Sequence, residues 1–455
     1  MSANPFAALR RFYAPPPQAA RLPAAEVERL YPWYRWRALE ATFLGYATFY
    51  LLRSNNVSVV TLEIQDSLNY SKEMIGDLGA ITALTYGLSK FLMGSLSDRS
   101  DARKFMATGL LLTAFCNFAF GATRDYHTHL WLWGLNGFFQ GMGWPPCGRV
   151  MGHWFSERER GLTFSIWNTS HNVGGGIAGV LAAWAVKEFG GWEYAFFVPG
   201  VIAIVGAMYI FWRLRDTPQS VGLPPIEQYR DDYPANRDDA VDIERELTFR
   251  ELFIGKVLLN KYVWLLAIAN FFAYITRYSM LDWGPTYLRE AKGGTIDDGW
   301  RGLMAIEFGG IPSTIFFGWM SDRLEGRRGM VATLCMLPII GAFAAIIVIP
   351  PGYLWLDFTM LMLIGFFVYP VINLIVIAAL DIVSKKAIGT AAGFIGLFGY
   401  LGKMVQAKGF GRVVDTYTEP LGPEGAWMIV LYIILLCAGI ATLLLALMWR
   451  MRPRA

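Results

Sequence analysis

GSLSDRSDARK occupies residues 94–104, and GWMSDRLEGRR occupies residues 318–328. Each runs glycine, then Ser-Asp-Arg, then two cations five and six residues after the aspartate. Asp98 and Asp322 lie 224 residues apart. The same offset lays Tyr50-Leu-Leu-Arg53 on Tyr274-Ile-Thr-Arg277. Two separate motifs sharing one offset indicate a duplicated unit of roughly half the chain, as in parallel helical repeats.

What surrounds the repeated motifs is apolar. The 455 residues are 55% hydrophobic and 17% charged, against about 25% charged in a soluble domain. Mean hydropathy is +0.36. A spanning helix needs about 20 mostly apolar residues. Twelve such runs are centred near residues 49, 86, 114, 140, 174, 203, 273, 310, 340, 366, 400 and 438. The predicted fold is an all-α integral membrane protein with twelve transmembrane helices in two pseudo-two-fold-related six-helix bundles.

The expected organisation is an N-terminal segment (1–35), a first bundle (36–215), a linker (216–257), a second bundle (258–449) and a tail (450–455). The N-terminal segment has no short apolar core before a cleavage site, so it does not read as a signal peptide. The linker is charged, with prolines at its start and a short amphipathic helix expected near its end. One set of loops carries Arg99, Arg103, Lys104, Arg158, Arg160, Arg323, Arg327, Arg328, Lys385 and Lys386. The opposite set carries Lys72, Arg124, Lys187, Arg289, Lys292 and Arg301. The richer set shares its side with both termini and the linker, which places that side in the cytoplasm.

Several function classes find no support. The net charge of +4 is spread over short basic loops, so a nucleic-acid partner is not expected. Cys116, Cys147, Cys335 and Cys437 lack metal-ligand spacing and read as packing residues. His127 and His129 read as loop residues, not a metal site. GYLGK at 399–403 is no phosphate-binding loop, because residue 397 is leucine and no hydroxyl residue follows Lys403. No cofactor motif and no nucleophile–base pairing stands out, so an enzyme is not expected.

Arg53 and Arg277 sit mid-run, where an arginine costs about 2.5–3.5 kcal/mol on insertion scales. Equivalent positions of two parallel repeats face each other across the pseudo-two-fold axis. Two guanidinium forks with no obvious acid between them make an anion site, and their geometry matches phosphate oxygens. Tyr46, Tyr50 and Arg53 share one helix face, as do Tyr86 with Lys90, Gln140 with Trp144, and Trp167 with His171. The plainer alternatives are a structural ion pair of either arginine with Glu307 or Asp282, and a packing role for His171.

Seven stretches resemble the organophosphate:phosphate antiporters of the major facilitator superfamily, in particular their bacterial glycerol 3-phosphate members. They are GYATFYLLRSN, YGLSKFLMGSLSDRS, FQGMGWPPCGR, WNTSHNVGGG, RDTPQSVGLPPIEQYRDDYP, LDWGPTYL and GTAAGFIGLFGYLG. The Asp-Arg-cation loops are the signature of that superfamily. The resemblance implies that Arg53 and Arg277 bind phosphate and that Lys90 and His171 support them. Tyr46, Tyr50, Tyr86, Trp144, Trp167, Tyr274 and Tyr400 are implied to line the cavity. It further implies exchange of an organophosphate, glycerol 3-phosphate foremost, for inorganic phosphate by rocker-switch alternating access. The loop residues Asp98, Arg99, Arg103, Asp322, Arg323 and Arg327 are implied to latch the cytoplasmic side. A monomer in the bacterial inner membrane is expected, with the lipid bilayer and phosphate compounds as its partners and no cofactor.

The chain departs from the glycerol 3-phosphate pattern at Lys403 and Lys408. Hexose-phosphate members resemble it in having a lysine at the latter place, with an acid three residues earlier; here that residue is Val405. Both lysines are therefore candidates for substrate contact, or for pairing with Glu307. Alternative readings are a hexose 6-phosphate or phosphoglycerate antiporter, a sugar-phosphate sensor that transports poorly, and a proton symporter using His171.

Overall fold

The computed structural model describes residues 11–232, 258–324, 327–382 and 388–450. The first half holds α1 (Ala24–Leu51, continued by Asn55–Val59 and Thr61–Leu68), α2 (Lys72–Ser97) and α3 (Ala102–Ala122). It goes on with α4 (Tyr126–Gln140 and Trp144–Trp154), α5 (Glu157–Asn168 and Ser170–Phe189) and α6 (Tyr194–Arg213). The second half holds α7 (Lys261–Asp282 and Gly284–Glu290), α8 (Ile296–Arg323), α9 (Arg328–Val348) and α10 (Leu354–Ile382). One long helical stretch, Ile388–Ala446, turns at Gly422 (φ 72°) between Pro420 and Pro423 and supplies α11 and α12. The linker's expected amphipathic helix and Lys385 and Lys386 lie outside the described residues, as do the side chains of Arg160 and Asp322.

Apolar length divides the helices by position. α3, α6, α8, α9, α10 and the α11–α12 stretch are long and apolar enough to cross a membrane. α1, α2, α4, α5 and α7 are not among them, because four are broken and all carry polar residues toward the centre. Their buried polar side chains, such as Thr42, Arg53, Asn136, Gln140 and Asn270, face protein, where irregular backbone is tolerated.

The break in α1 falls at Leu52–Ser54, beside Arg53. No proline causes it. Amides from neighbouring helices hold the freed carbonyls: Asn136 Nδ2 donates to Leu52 O at 2.9 Å and Gln140 Nε2 donates to Phe49 O at 2.9 Å. The Asn117 amide lies 3.4 Å from Leu52 O. In α4 the break precedes Pro145 and Pro146, and in α7 it precedes Pro285, residues that have no N–H to continue a helix.

The repeat is visible in packing. A Cβ on Gly174 of α5 would lie 2.3 Å from Ala47 O of α1, and one on Gly402 of α11 would lie 2.3 Å from Phe271 O of α7. Ala47 and Phe271 are again 224 residues apart. Glycine permits this backbone approach in both halves.

Both halves meet firmly at the end away from the chain termini. Arg289 of α7 pairs with Glu63 of α1 at 2.7 Å, and Glu290 of α7 pairs with Lys72 of α2 at 2.9 Å. Lys187 of α5 pairs with Asp297 of α8 at 2.5 Å. Asp415 of α11 accepts from the backbone N–H groups of Lys72 (3.1 Å) and Glu73 (2.7 Å), so one half caps a helix of the other. A carboxylate there also complements the helix dipole. Lys408 of α11 joins this end too, reaching Asp77 of α2 at 2.8 Å.

One reading of the sequence is corrected here. His127 and His129 belong to the first turn of α4, not to a loop. His129 is fully buried; its Nε2 donates toward Phe120 O (3.0 Å) and Thr123 O (3.1 Å), while Nδ1 accepts from the Tyr70 hydroxyl (2.9 Å). It is a cap for the carbonyls freed at the end of α3. Asp125 precedes that turn, and its bonds from the Thr128 N–H and hydroxyl hold its carboxyl below the usual carboxylate range.

Replacing Asn136 with leucine removes the main donor to Leu52 O. The expected cost is about 1–3 kcal/mol, read as a lower thermal unfolding midpoint in detergent.

A candidate anion site between the halves

Arg53 and Arg277 are both held against tyrosines. The Arg53 guanidinium carbon lies 4.4 Å from the Tyr50 ring centre and 4.1 Å from that of Tyr86. Arg277 lies 4.4 Å from Tyr369 and 5.0 Å from Tyr278. Aromatic rings partly compensate a desolvated cation.

Two chains of rings connect the arginines across the halves. One runs from Tyr50 to His171 (5.6 Å) and from His171 to Tyr369 (5.6 Å). The other runs from Tyr86 to Tyr400 (5.0 Å), then Tyr274 (5.6 Å), then Tyr278 (5.5 Å). Among the described residues neither arginine makes an ion pair with a carboxylate. Arg277 Nε and Trp167 Nε1 are buried donors without a hydrogen-bond partner. Such orphaned donors fit an anionic guest.

His171 is oriented by a close bond from Nδ1 to Asn168 O, which requires the proton on Nδ1 and leaves Nε2 free for a guest. Trp167 stacks on Tyr46 at 5.1 Å, and Tyr46 meets Tyr50 edge-on at 5.4 Å. Trp144 stands farther out, 6.5 Å from Trp167 and partly exposed. Lys90 is exposed, its Nζ 5.6 Å from the Tyr86 ring and 5.5 Å from that of Tyr400.

Other expected site residues stand elsewhere. Gln140 uses its amide to hold the α1 break. Lys403 pairs with Asp282 at 3.4 Å over the Tyr278 ring, and Gln406 donates to the same carboxylate at 2.6 Å. Asp282 is thereby occupied and is not a counter-ion for either arginine. Lys408 does not line the site: it reaches Asp77 of α2 at 2.8 Å and Glu73 at 3.6 Å, among the pairs that close the far end. Glu307 meets neither arginine nor lysine. It accepts from Asn172 (3.0 Å) and Asn55 (3.4 Å) of the first half and closely from Tyr369. It is a polar bridge between halves.

The described contacts of Asp98, Arg103 and Arg323 are each made within their own half. The Asp98 carbonyl accepts closely from Arg149, Arg103 pairs with Asp101 at 3.1 Å, and Arg323 lies 4.5 Å from the Trp319 ring. Asp98 and Arg99 are exposed, while Arg327 is half-buried.

Sequence reasoning missed Tyr369, Tyr278 and Asn55. Tyr278 and Asn55 adjoin the arginines too closely in sequence to share their helix faces, and the 224 offset lays Tyr369 on Pro145 rather than on an aromatic residue. The Lys403–Asp282 pair has a direct test. Lys403→Met leaves a buried carboxylate unpaired, at an expected cost of about 3–5 kcal/mol. Adding Asp282→Leu recovers most of the thermal stability.

The comparisons agree with this architecture. The model of the Major Facilitator Superfamily matches residues 42–407. The chain is 41% identical over 453 residues to the glycerol-3-phosphate transporter of Bacillus subtilis (strain 168), covering 97% of this chain and 98% of the relative. It is 37% identical over 434 residues to the membrane sensor protein UhpC of Escherichia coli (strain K12), covering 92% of each. The fold also matches a crystal structure of a bacterial homolog to the human lysosomal transporter Spinster. There the TM-score is 0.70 at 16% identity, over 91% of this chain and 95% of the other. The chain is a multi-pass membrane protein of a transporter family: it belongs to the Major Facilitator Superfamily, in the organophosphate:inorganic phosphate antiporter family.

Proposed function

We propose that the protein exchanges a phosphate monoester, glycerol 3-phosphate foremost, for inorganic phosphate by alternating access. The observation that carries this reading is the pair Arg53 and Arg277, one from each half, unpaired by any described carboxylate and joined by tyrosine and histidine rings. Each fork can hold two oxygens of one phosphate, and His171 Nε2, an acceptor while the proton is on Nδ1, can take a hydroxyl of the guest, the P–OH of hydrogen phosphate or a hydroxyl of the ester. The relative named for glycerol 3-phosphate supports that ester as first choice.

The mechanism follows from charge. Empty, the two guanidinium groups repel each other in a poorly polar setting. A doubly charged phosphate bound between them removes the repulsion and is held by both halves at once. A ligand moves such an equilibrium only through different affinity for the two states. Phosphate does so by favouring the approach of the halves through which switching must pass. Both termini lie in the cytoplasm on this reading, and the end that bears them takes substrate from inside in the inward-facing state. Arg99, Arg103 and Arg323, with Asp98 and Asp322, latch that end in the other state. The working unit is a single chain in the bacterial inner membrane.

In proteoliposomes loaded with unlabelled phosphate, labelled phosphate is expected to accumulate by counterflow. Arg53→Lys and Arg277→Lys are each expected to cut the rate by at least about tenfold, the loss of one bidentate contact of roughly 1.5–3 kcal/mol. Normal exchange by either variant overturns the reading. Similarity to a membrane sensor favours one alternative, a receptor that binds sugar phosphate without counterflow; phosphate-protected labelling with no exchange would favour it.

The closed end supplies a separate prediction. Asp415→Asn with Lys408→Met removes contacts that α11 makes to α2. A single cysteine at Ser58, buried in the small cavity between the broken parts of α1 and α7, is then expected to react faster with an impermeant maleimide. The four native cysteines are buried.

A further inference from the structure

The outer face of the first bundle carries a cleft that the exchange mechanism does not use. It lies between α3 and α6, close to the end that bears the termini, and encloses about 270 Å3. Its walls are Ala107 and Leu111 of α3 with Ala207, Met208 and Phe211 of α6. Met208 is 59% exposed and Leu111 46%, so the slot opens sideways from two apolar helices, where lipid chains lie.

The mouth of this apolar slot is basic. Lys104 Nζ borders it, donates to Phe12 O at 2.6 Å and lies 3.9 Å from Asp101. The same buried carboxylate holds Arg103 at 3.1 Å. One acid therefore serves two cations and leaves an excess positive charge. The Arg103 guanidinium lies 5.2 Å from the ring of Phe211 on the cleft wall. Arg11, beside Phe12, is exposed. Phe12 itself covers one end of the slot, and the segment is pinned there by Tyr13, whose hydroxyl donates to Thr108 at 2.9 Å.

We infer that this cleft binds an anionic phospholipid, with an acyl chain between α3 and α6 and the headgroup phosphate at Lys104 and Arg103. The apolar walls match a chain, and a free phosphate gains nothing from them. A zwitterionic headgroup brings its own cation to a mouth that is already positive. Each basic group beside a membrane surface favours an anionic lipid about fivefold. Arg103 belongs to the signature loop, so the site would also tie a gating residue to membrane composition.

The test uses purified full-length protein offered equal amounts of phosphatidylglycerol and phosphatidylcholine, with retained lipid counted by native mass spectrometry. Phosphatidylglycerol is expected to be enriched at least about fivefold. Lys104→Gln, which leaves Asp101 its Arg103 partner, is expected to reduce the enrichment about fivefold. Lys104→Arg is expected to keep it. Leu111→Trp fills the slot without changing charge and is expected to lower phosphatidylglycerol retention. Thermal unfolding in lipid-free detergent reports that each variant is folded. Equal retention of both lipids by the unaltered protein overturns the inference. So does enrichment unchanged in both Lys104→Gln and Leu111→Trp, or displacement of the lipid by excess inorganic phosphate.

Discussion

Two like charges that cannot be neutralised from within set the terms for the rest of the molecule. Arg53 is buried and Arg277 half-buried against tyrosine rings, and the carboxylates within reach are committed elsewhere. Asp282 is held by Lys403 and Gln406, and Glu307 by Asn172, Asn55 and Tyr369. Aromatic faces soften the desolvation of a guanidinium but carry no compensating charge. A buried, uncompensated cation is costly, and here two are kept in register on opposite halves. That arrangement leaves positive charge for an anion to neutralise on the reading proposed above.

The closed end is the mechanical complement of that electrostatic demand. The pairs Glu63–Arg289, Lys72–Glu290, Lys187–Asp297 and Lys408–Asp77 draw the halves together at one rim. Most of these side chains are partly wet, and individual exposed pairs contribute little. Their sum, with the Asp415 cap on α2, makes an attachment that can form and release without crossing a large barrier. A few deeply buried bridges would hold one state too tightly for a carrier.

The sequence disclosed the architecture because the fold is written twice. A single offset of 224 relates the signature loops, the YLLR and YITR segments, and the backbone contacts at Ala47 and Phe271. The arginines were legible for the same reason, since charge in an apolar run is conspicuous. Lys403 and Lys408 are equally conspicuous, but a lone cation in a sequence does not reveal its partner: Lys403 lies over the Tyr278 ring paired with Asp282, and Lys408 pairs with Asp77. Asp282 lies 121 residues before Lys403, and Asp77 lies 331 before Lys408. Gln140 carried a helix-face signal that its amide does not serve, since the break it caps has no proline to announce it. Tyr278, Tyr369 and Asn55 are uncharged residues whose place at the site comes from the packing of separate helices.

The duplicated register hides an asymmetry in how the two arginines are carried. Arg53 stands in a three-residue gap held by amides of α3 and α4, whereas Arg277 is inside an unbroken helical segment that ends at Asp282. The two cations therefore have different mechanical couplings. Arg277 can shift only as α7 shifts, together with the α11 packed on it. Arg53 rides on a joint whose carbonyls are held by side chains of other helices. Changes at Asn117, Asn136 and Gln140 thus bear on the compliance of the α1 half alone, so that a duplicated register carries one stiff and one jointed support.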